Sequence, residues 1–144
     1  RHINMEIWGT GINNLPKNSP LRQCYKKQAW GIDMYNVLKN SKITLNNHIG
    51  IAGCFAGNMR LFEATGVGTL LITDWKKNLN DMFDTGREVV AYHTPEECVE
   101  LIQYYLNNEK ERNAIACAGQ KRTLRDHTYY HRMQELIEII RKYF

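Results

Sequence analysis

No apolar run in the sequence approaches the roughly 20 residues that a helix needs to cross a bilayer, so no transmembrane segment is expected. The opening RHINMEIWGTG lacks an apolar core of the length a secretory leader carries. Cysteine is scarce: Cys24, Cys54, Cys98 and Cys117 are the four in 144 residues, and no two form a CxxC pair. A reducing compartment is therefore expected rather than a disulfide framework, and with it a cytoplasmic location. Cys98 and Cys117 read as apolar helix-face residues, a common use of free cysteine. Concentrated charge is also missing. The formal net charge is +4, and the longest basic clusters are YKK at 25–27 and KRTLR at 121–125, the latter a solvated helix face. Nucleic acid is not an expected partner.

Motifs are absent too. His2, His93, His127 and His131 lack metal spacing, and the pair four apart has no HExxH around it, so no metal is expected. GTGINN at 9–14 is not GxGxxG, and neither GxxxxGK[ST] nor GxSxG occurs. Ser19 and Ser41 sit at no suggestive turn. Asp74, at a strand end, lacks the further acidic pair that a receiver-type phosphorylation site needs.

What is present is an alternation of strand and helix patterns. HINMEIW at 2–8 alternates polar and apolar residues and stops at Gly9 and Gly11. Residues 21–30 fit a short strand or an irregular crossing. A short helix follows with Asp33 as its cap and Met34, Val37 and Leu38 on one face. KITLN at 42–46 is a strand. A glycine-dotted loop then leads to Asn58 as the cap of a helix with Met59, Phe62 and Ala64 partly inward. TLLIT at 69–73 is a continuous apolar strand, which suits a sheet covered on both faces. KNLNDMF is a short helix and REVVAY at 87–92 a fourth strand. Thr94, Pro95 and Glu97 make a clear helix start. Asn107 and Asn108 break that helix, and two more follow at 109–125 and 129–143, the last with a stripe of Met133, Leu136, Ile137 and Ile140. The fold class is α/β, a Rossmann-like, mostly parallel sheet with helices on both faces. Four strands are few for a doubly wound domain, and the first begins at the chain start, which fits a piece of a larger protein.

Ligands of open α/β sheets bind beyond the carboxyl ends of the strands. Three loops reach that edge: 9–14 with Gly11, 47–58, and the segment DWKKN after the third strand. The middle loop runs into a helix start, where free amides and the helix dipole can receive a diphosphate. Arg60 in the first turn is unfavourable for the helix alone and favourable with an anion bound; a solvent-facing arginine is the alternative. Glu63, a turn deeper, can accept both hydroxyls of a ribose or be an ordinary exposed helix glutamate. Gly66 and Gly68 suit a left-handed helix end and close backbone approach. His48, beside Asn46 and Asn47, is placed to bond phosphate or a sugar hydroxyl, or to organise its loop.

The stretch NMRLFEATGVGTLLITD at 58–74 resembles the donor-binding half of GT-B-fold glycosyltransferases, and more closely the CgeB-like, spore-maturation-type group. WGIDMYNVLKNSKITLNNH, FDTGREVVAY and the segment from EECVELIQYYLNN to HRMQELI look like the same group in the same order. The resemblance implies transfer of a sugar from a nucleotide-diphosphate sugar, with no cofactor. Residues 1–144 would be the donor-binding domain, and an upstream acceptor-binding domain would be its partner. It casts Glu63 as the ribose-binding glutamate. Asn58, Met59 and Arg60 become the diphosphate turn, and His48 and Asn46 the approach to the donor sugar. Gly66 and Gly68 match the glycines before the next strand, and HTYYHR the start of helices returning toward the other domain. The earlier glutamate that many relatives use to contact the sugar is missing, since Phe55 and Ala56 stand there, and His48 is the expected substitute. No catalytic residue is assigned; a base would belong to the absent half. A non-catalytic α/β module that binds a nucleotide or a protein is the competing reading.

Overall fold

The computed structural model describes residues 3–143; Arg1, Phe144 and His2, the first residue of the predicted first strand, lie outside the described residues. The elements in chain order are α1 (Leu21–Cys24), α2 (Gly31–Asn40), β1 (Ile43–Asn46), α3 (Arg60–Gly66), β2 (Leu70–Asp74), α4 (Leu79–Met82), β3 (Val90–Tyr92), α5 (Pro95–Asn107), α6 (Glu109–Asp126) and α7 (Tyr129–Tyr143). The chain divides into two compact units, one ending at Val37 and one starting at Leu38.

The smaller unit corrects the sequence reading. The strand predicted over 2–8 is reduced to one parallel bridge between Ile7 and Tyr25. Its bonds run from Ile7 N–H to Cys24 C=O (2.8 Å) and from Lys26 N–H to Ile7 C=O (3.0 Å). Alternation alone does not make a strand; it needs a partner ladder and a face to bury, and Met5 stays exposed. Residues 21–24 form the helical turn α1 rather than a strand, and Arg22 ties it back to the Leu15 (2.6 Å) and Pro16 (3.0 Å) carbonyls. Asp33 is not a cap, because α2 already starts at Gly31 and Asp33 lies in its first turn.

The larger unit is a three-stranded parallel sheet in the order β1-β2-β3. β2 is central and buried along four of its five residues, as its unbroken apolar run predicts. Its side chains alternate between faces. Leu70 and Ile72 join Val90, Cys98, Tyr105, Ile115 and Ala116 in one core cluster under α5 and α6. Leu71 and Thr73 point the other way, and α3, with Leu61 and Ala64 fully buried, also packs on β2. Burying one such leucine contributes about 1.5–3 kcal/mol. β3 is shorter than REVVAY because Arg87–Val89 is spent on a turn closed by Gly86 N–H to Val89 C=O (2.7 Å).

Thr94 caps α5, its hydroxyl accepting from Glu97 N–H (3.2 Å), with Pro95 at the first helical position. The return bond of Glu97 goes to His93 N–H (2.6 Å), one residue before the cap. Asn108 separates α5 from α6, its side chain donating to Tyr104 C=O (2.8 Å). α6 packs closely on α3: the Thr65 and Thr123 hydroxyls meet at 2.6 Å, and Gly119 lies so near the Glu88 carbonyl that a Cβ there would be 2.3 Å from its oxygen. Two α6 expectations are corrected. Cys117 is exposed, because the buried positions are Ile115, Ala116 and Gly119. Arg122 is not a solvated charge, since its Nε donates to Met82 C=O (2.9 Å). On α7 the predicted stripe exists but is about half exposed at each of Met133, Leu136, Ile137 and Ile140.

Candidate functional site at the carboxyl edge of the sheet

β1 ends at Asn46, and the burial alternation of Thr44, Asn46 and His48 continues past it. The Asn46 amide donates to Thr73 Oγ1 (3.0 Å), its register partner on β2, and its carbonyl accepts from Asn58 Nδ2 (3.0 Å). His48 is gathered by Asp74, the last residue of β2. One carboxylate oxygen, Oδ1, accepts from the His48 amide (3.0 Å) and lies 2.7 Å from His48 Nδ1. The Thr73 hydroxyl also donates to it (3.3 Å), and Lys76 pairs with Oδ2 (3.2 Å). Burial pushes the Asp74 carboxyl up, but the His48 donors and Lys76 outweigh it and hold the group below the usual carboxylate range. Tyr92, on β3, donates to Asn46 C=O (3.1 Å); burial and the Asp74 charge push its phenol up to about 12, so it remains a neutral donor. Two side-chain atoms here are buried without a partner, His48 Nε2 and Asn58 Oδ1.

The loop over 47–59 is tied down from the segment after β2. Lys76 Nζ donates to Gly53 C=O (2.7 Å) and Lys77 N–H to Cys54 C=O (2.9 Å). The Asn78 side chain bonds both backbone groups of Ala56 (2.6 and 3.0 Å). Gly53 takes φ 56°, a turn that L side chains resist. Ile49, Ile51 and Phe55 project from the loop into solvent, and Trp75 stacks on His93 at 5.4 Å between ring centroids.

Asn58 does not cap α3 with its side chain, which is committed to Asn46; Met59 is the capping residue and makes no side-chain cap bond. Helix α3 has only seven residues. The Leu61 amide is taken by Asn58 C=O (3.4 Å), and the Phe62 and Glu63 amides by Met59 C=O (3.0 Å each). A helix this short with its first-turn amides engaged is a poor anion cradle. Arg60 has an internal partner, Glu63, at 3.1 Å, so a bound anion is not required to explain it. Both side chains are only partly exposed. Met59 is exposed and touches the Tyr129 hydroxyl through its sulfur (3.8 Å).

The two glycines after Glu63 serve different ends. Gly68, at φ 81°, makes the left-handed turn into β2, against the Gln120 amide. Gly66 is still helical and lies against Thr123, so it is not part of the left-handed exit that the sequence suggested. Gly11 belongs to the smaller unit, where it heads a 3-10 turn with φ 88°.

The edge thus brings Asn46, His48 and Asn58 together and pairs Arg60 with Glu63. Sequence reasoning missed Thr73 and Lys76 and weighed Asp74 only as a phosphorylation site. The available signal was an acidic residue directly ending a fully buried strand. Among the described residues no group of three His, Cys, Asp or Glu side chains is placed to hold a metal, and no helix is long and apolar enough to cross a membrane. A hollow of about 560 Å³ lies at the α5–α6 turn, lined by Asn107, Asn108 and Glu109 among others, at the far end of α5 from this edge. No curated protein matches the chain. A family model described as glycosyl transferase-like matches residues 1–138, nearly the whole chain, and the chain therefore belongs to the glycosyl transferase-like family.

Proposed function

We propose that this chain supplies the donor-binding half of a CgeB-like, GT-B-type glycosyltransferase, binding a nucleotide-diphosphate sugar at the carboxyl edge of its sheet. The acceptor-binding domain upstream belongs to the same proposal. The observation that carries it is the pair of partnerless buried atoms, His48 Nε2 and Asn58 Oδ1, at the edge where α/β sheets bind ligands. An unmade bond on a buried polar group costs about 1–3 kcal/mol, which a bound ligand offsets. Glu63 grips the ribose diol through Oε1, since Oε2 pairs with Arg60. The Arg60 guanidinium, rather than the helix end, meets the diphosphate together with the Asn58–Met59 turn. His48 and Asn46 stand on the sugar side.

Chemical-shift mapping with UDP, GDP and TDP sugars tests this reading. The expected result is perturbation over 46–48, 58–63 and 73–76. Perturbation confined to other surfaces, or none with the whole panel, removes it.

A further inference from the structure

We propose that Asp74 sets the direction of the two side-chain hydrogen-bond arms that run from it, one to His48 and one through Thr73 and Asn46 to Asn58, leaving two terminal acceptors, so that this edge takes sugar hydroxyls and refuses ionised phosphate oxygens. An ionised carboxylate accepts only. Because Asp74 Oδ1 lies 2.7 Å from His48 Nδ1, that nitrogen carries the hydrogen, and a ring with that one hydrogen presents Nε2 as a lone pair. Along the second arm, the Thr73 hydroxyl spends its single hydrogen on Asp74, so Thr73 Oγ1 accepts from the Asn46 amide. The Asn46 carbonyl then faces Asn58, which must donate its Nδ2. That leaves Asn58 Oδ1 as the outer end.

Both arms therefore finish in acceptors, and both acceptors lack partners. The His48 side chain is 1% exposed, so its bare nitrogen is not satisfied by bulk water. An ionised phosphate oxygen, an acceptor only, has nothing to receive from either atom; a sugar hydroxyl donates to one of them, and two hydroxyls satisfy both. Lys76, bound to Asp74 Oδ2 and to Gly53 C=O, links the same carboxylate to the loop over the edge. Asp74 is thus a positioning residue, acting through His48 and Asn58. The groups facing the imidazole are Asp74 and, through it, Lys76 and Tyr92.

This inference rests on the sugar-nucleotide reading for the ligand's identity but not for the polarity of the edge, and the experiment separates the two. In the nitrogen-15 spectrum of the histidine-labelled chain, with His48→Gln as the assignment control, His48 should show a protonated Nδ1 and a bare Nε2. Glucose should shift Nε2 where sulfate, an oxyanion with no hydrogen to give at neutral pH, does not. UDP-glucose should shift it where UDP does not, or the matching GDP or TDP pair if that base is the one bound. Asp74→Asn, which can present an amide hydrogen to either arm, should mix the ring tautomers. It should also cut the affinity gain from the sugar roughly five- to thirty-fold, one or two neutral hydrogen bonds, taken as the ratio of sugar-nucleotide to nucleotide affinity within each variant. If no nucleotide binds, the sugar-nucleotide reading fails, and the wild-type tautomer with the glucose and sulfate titrations still decides the polarity. A proton on Nε2, whether Nδ1 is bare or protonated, or a shift with sulfate and none with glucose, overturns the proposal.

Discussion

Replacing Glu63 by alanine separates two jobs that a bare helix glutamate would not have. The carboxylate is 14% exposed and lies 3.1 Å from Arg60, itself 35% exposed. In its proposed role as ribose acceptor it would make charge-assisted bonds worth about 1.5–3 kcal/mol. At 1.4 kcal/mol per decade, Glu63→Ala should weaken a nucleoside diphosphate by about 10- to 150-fold. The same change frees Arg60 from its neutralising partner. A partly exposed pair is worth about 0–1 kcal/mol, so pyrophosphate, which has no diol, should bind unchanged or up to about fivefold tighter. The loss for the nucleotide is thus not matched by any loss for pyrophosphate. Folding should be little affected, because an exposed helix pair of this spacing contributes about 0.2–0.5 kcal/mol. Isothermal titration of wild type and variant with UDP, GDP, TDP and pyrophosphate reads all of this. Equal losses for pyrophosphate and for the nucleotide that binds would mean that Glu63 acts on the anion or on the fold. An unchanged nucleotide affinity would remove it from the site.

Gly119→Ala should destabilise the larger unit although alanine is the better helix former by about 1 kcal/mol. The new Cβ would stand 2.3 Å from backbone oxygen and 3.5 Å from Thr65 Cγ2, and overpacking of this kind costs about 1–3 kcal/mol. A lowered thermal midpoint is expected, and an unchanged or raised one would mean that α6 is free to slide. Acid should weaken the fold in two windows. His127 donates Nε2–H to Met82 C=O (2.8 Å), and its Nδ1 accepts from Arg132 (2.8 Å). Burial first, then the Arg132 and Arg122 charges, lower its pKa from 6.5, against the pull of Met82 and Asp126. A lowered folded pKa gives stability that is complete above 6.5 and lost as pH falls through the folded value. By the same sign Asp74 contributes above 3.8 and loses its share below it. Denaturant titrations across pH should show both declines, and His127→Gln should abolish the upper one alone; survival of that decline in the variant would assign it elsewhere.

The helices after Thr94 were legible because each boundary is local chemistry. A threonine hydroxyl, a proline and a glutamate within four residues begin α5, and a side-chain bond from Asn108 helps to end it. β2 was legible because four consecutive buried positions leave no polar residue to place outside. The segment 2–8 shows the limit. Its alternation is that of a strand, yet a ladder requires a partner the sequence does not point to, and among its described residues only one bridge forms. Cys117 and the α7 stripe show it again, since helical spacing says which residues share a face and not whether anything covers it.

At the site, sequence alone placed Asn46, His48 and Asn58 near one sheet edge and singled out Glu63 and Arg60. It left their partners undetermined, because Asp74 lies 26 residues from His48, and Thr73 27 from Asn46. Parallel pairing of β1 with β2 puts those residues side by side. Once they meet, a group that can only accept hydrogen dictates which atoms stay bare. That direction is a property of the folded neighbourhood and cannot be read from any one residue.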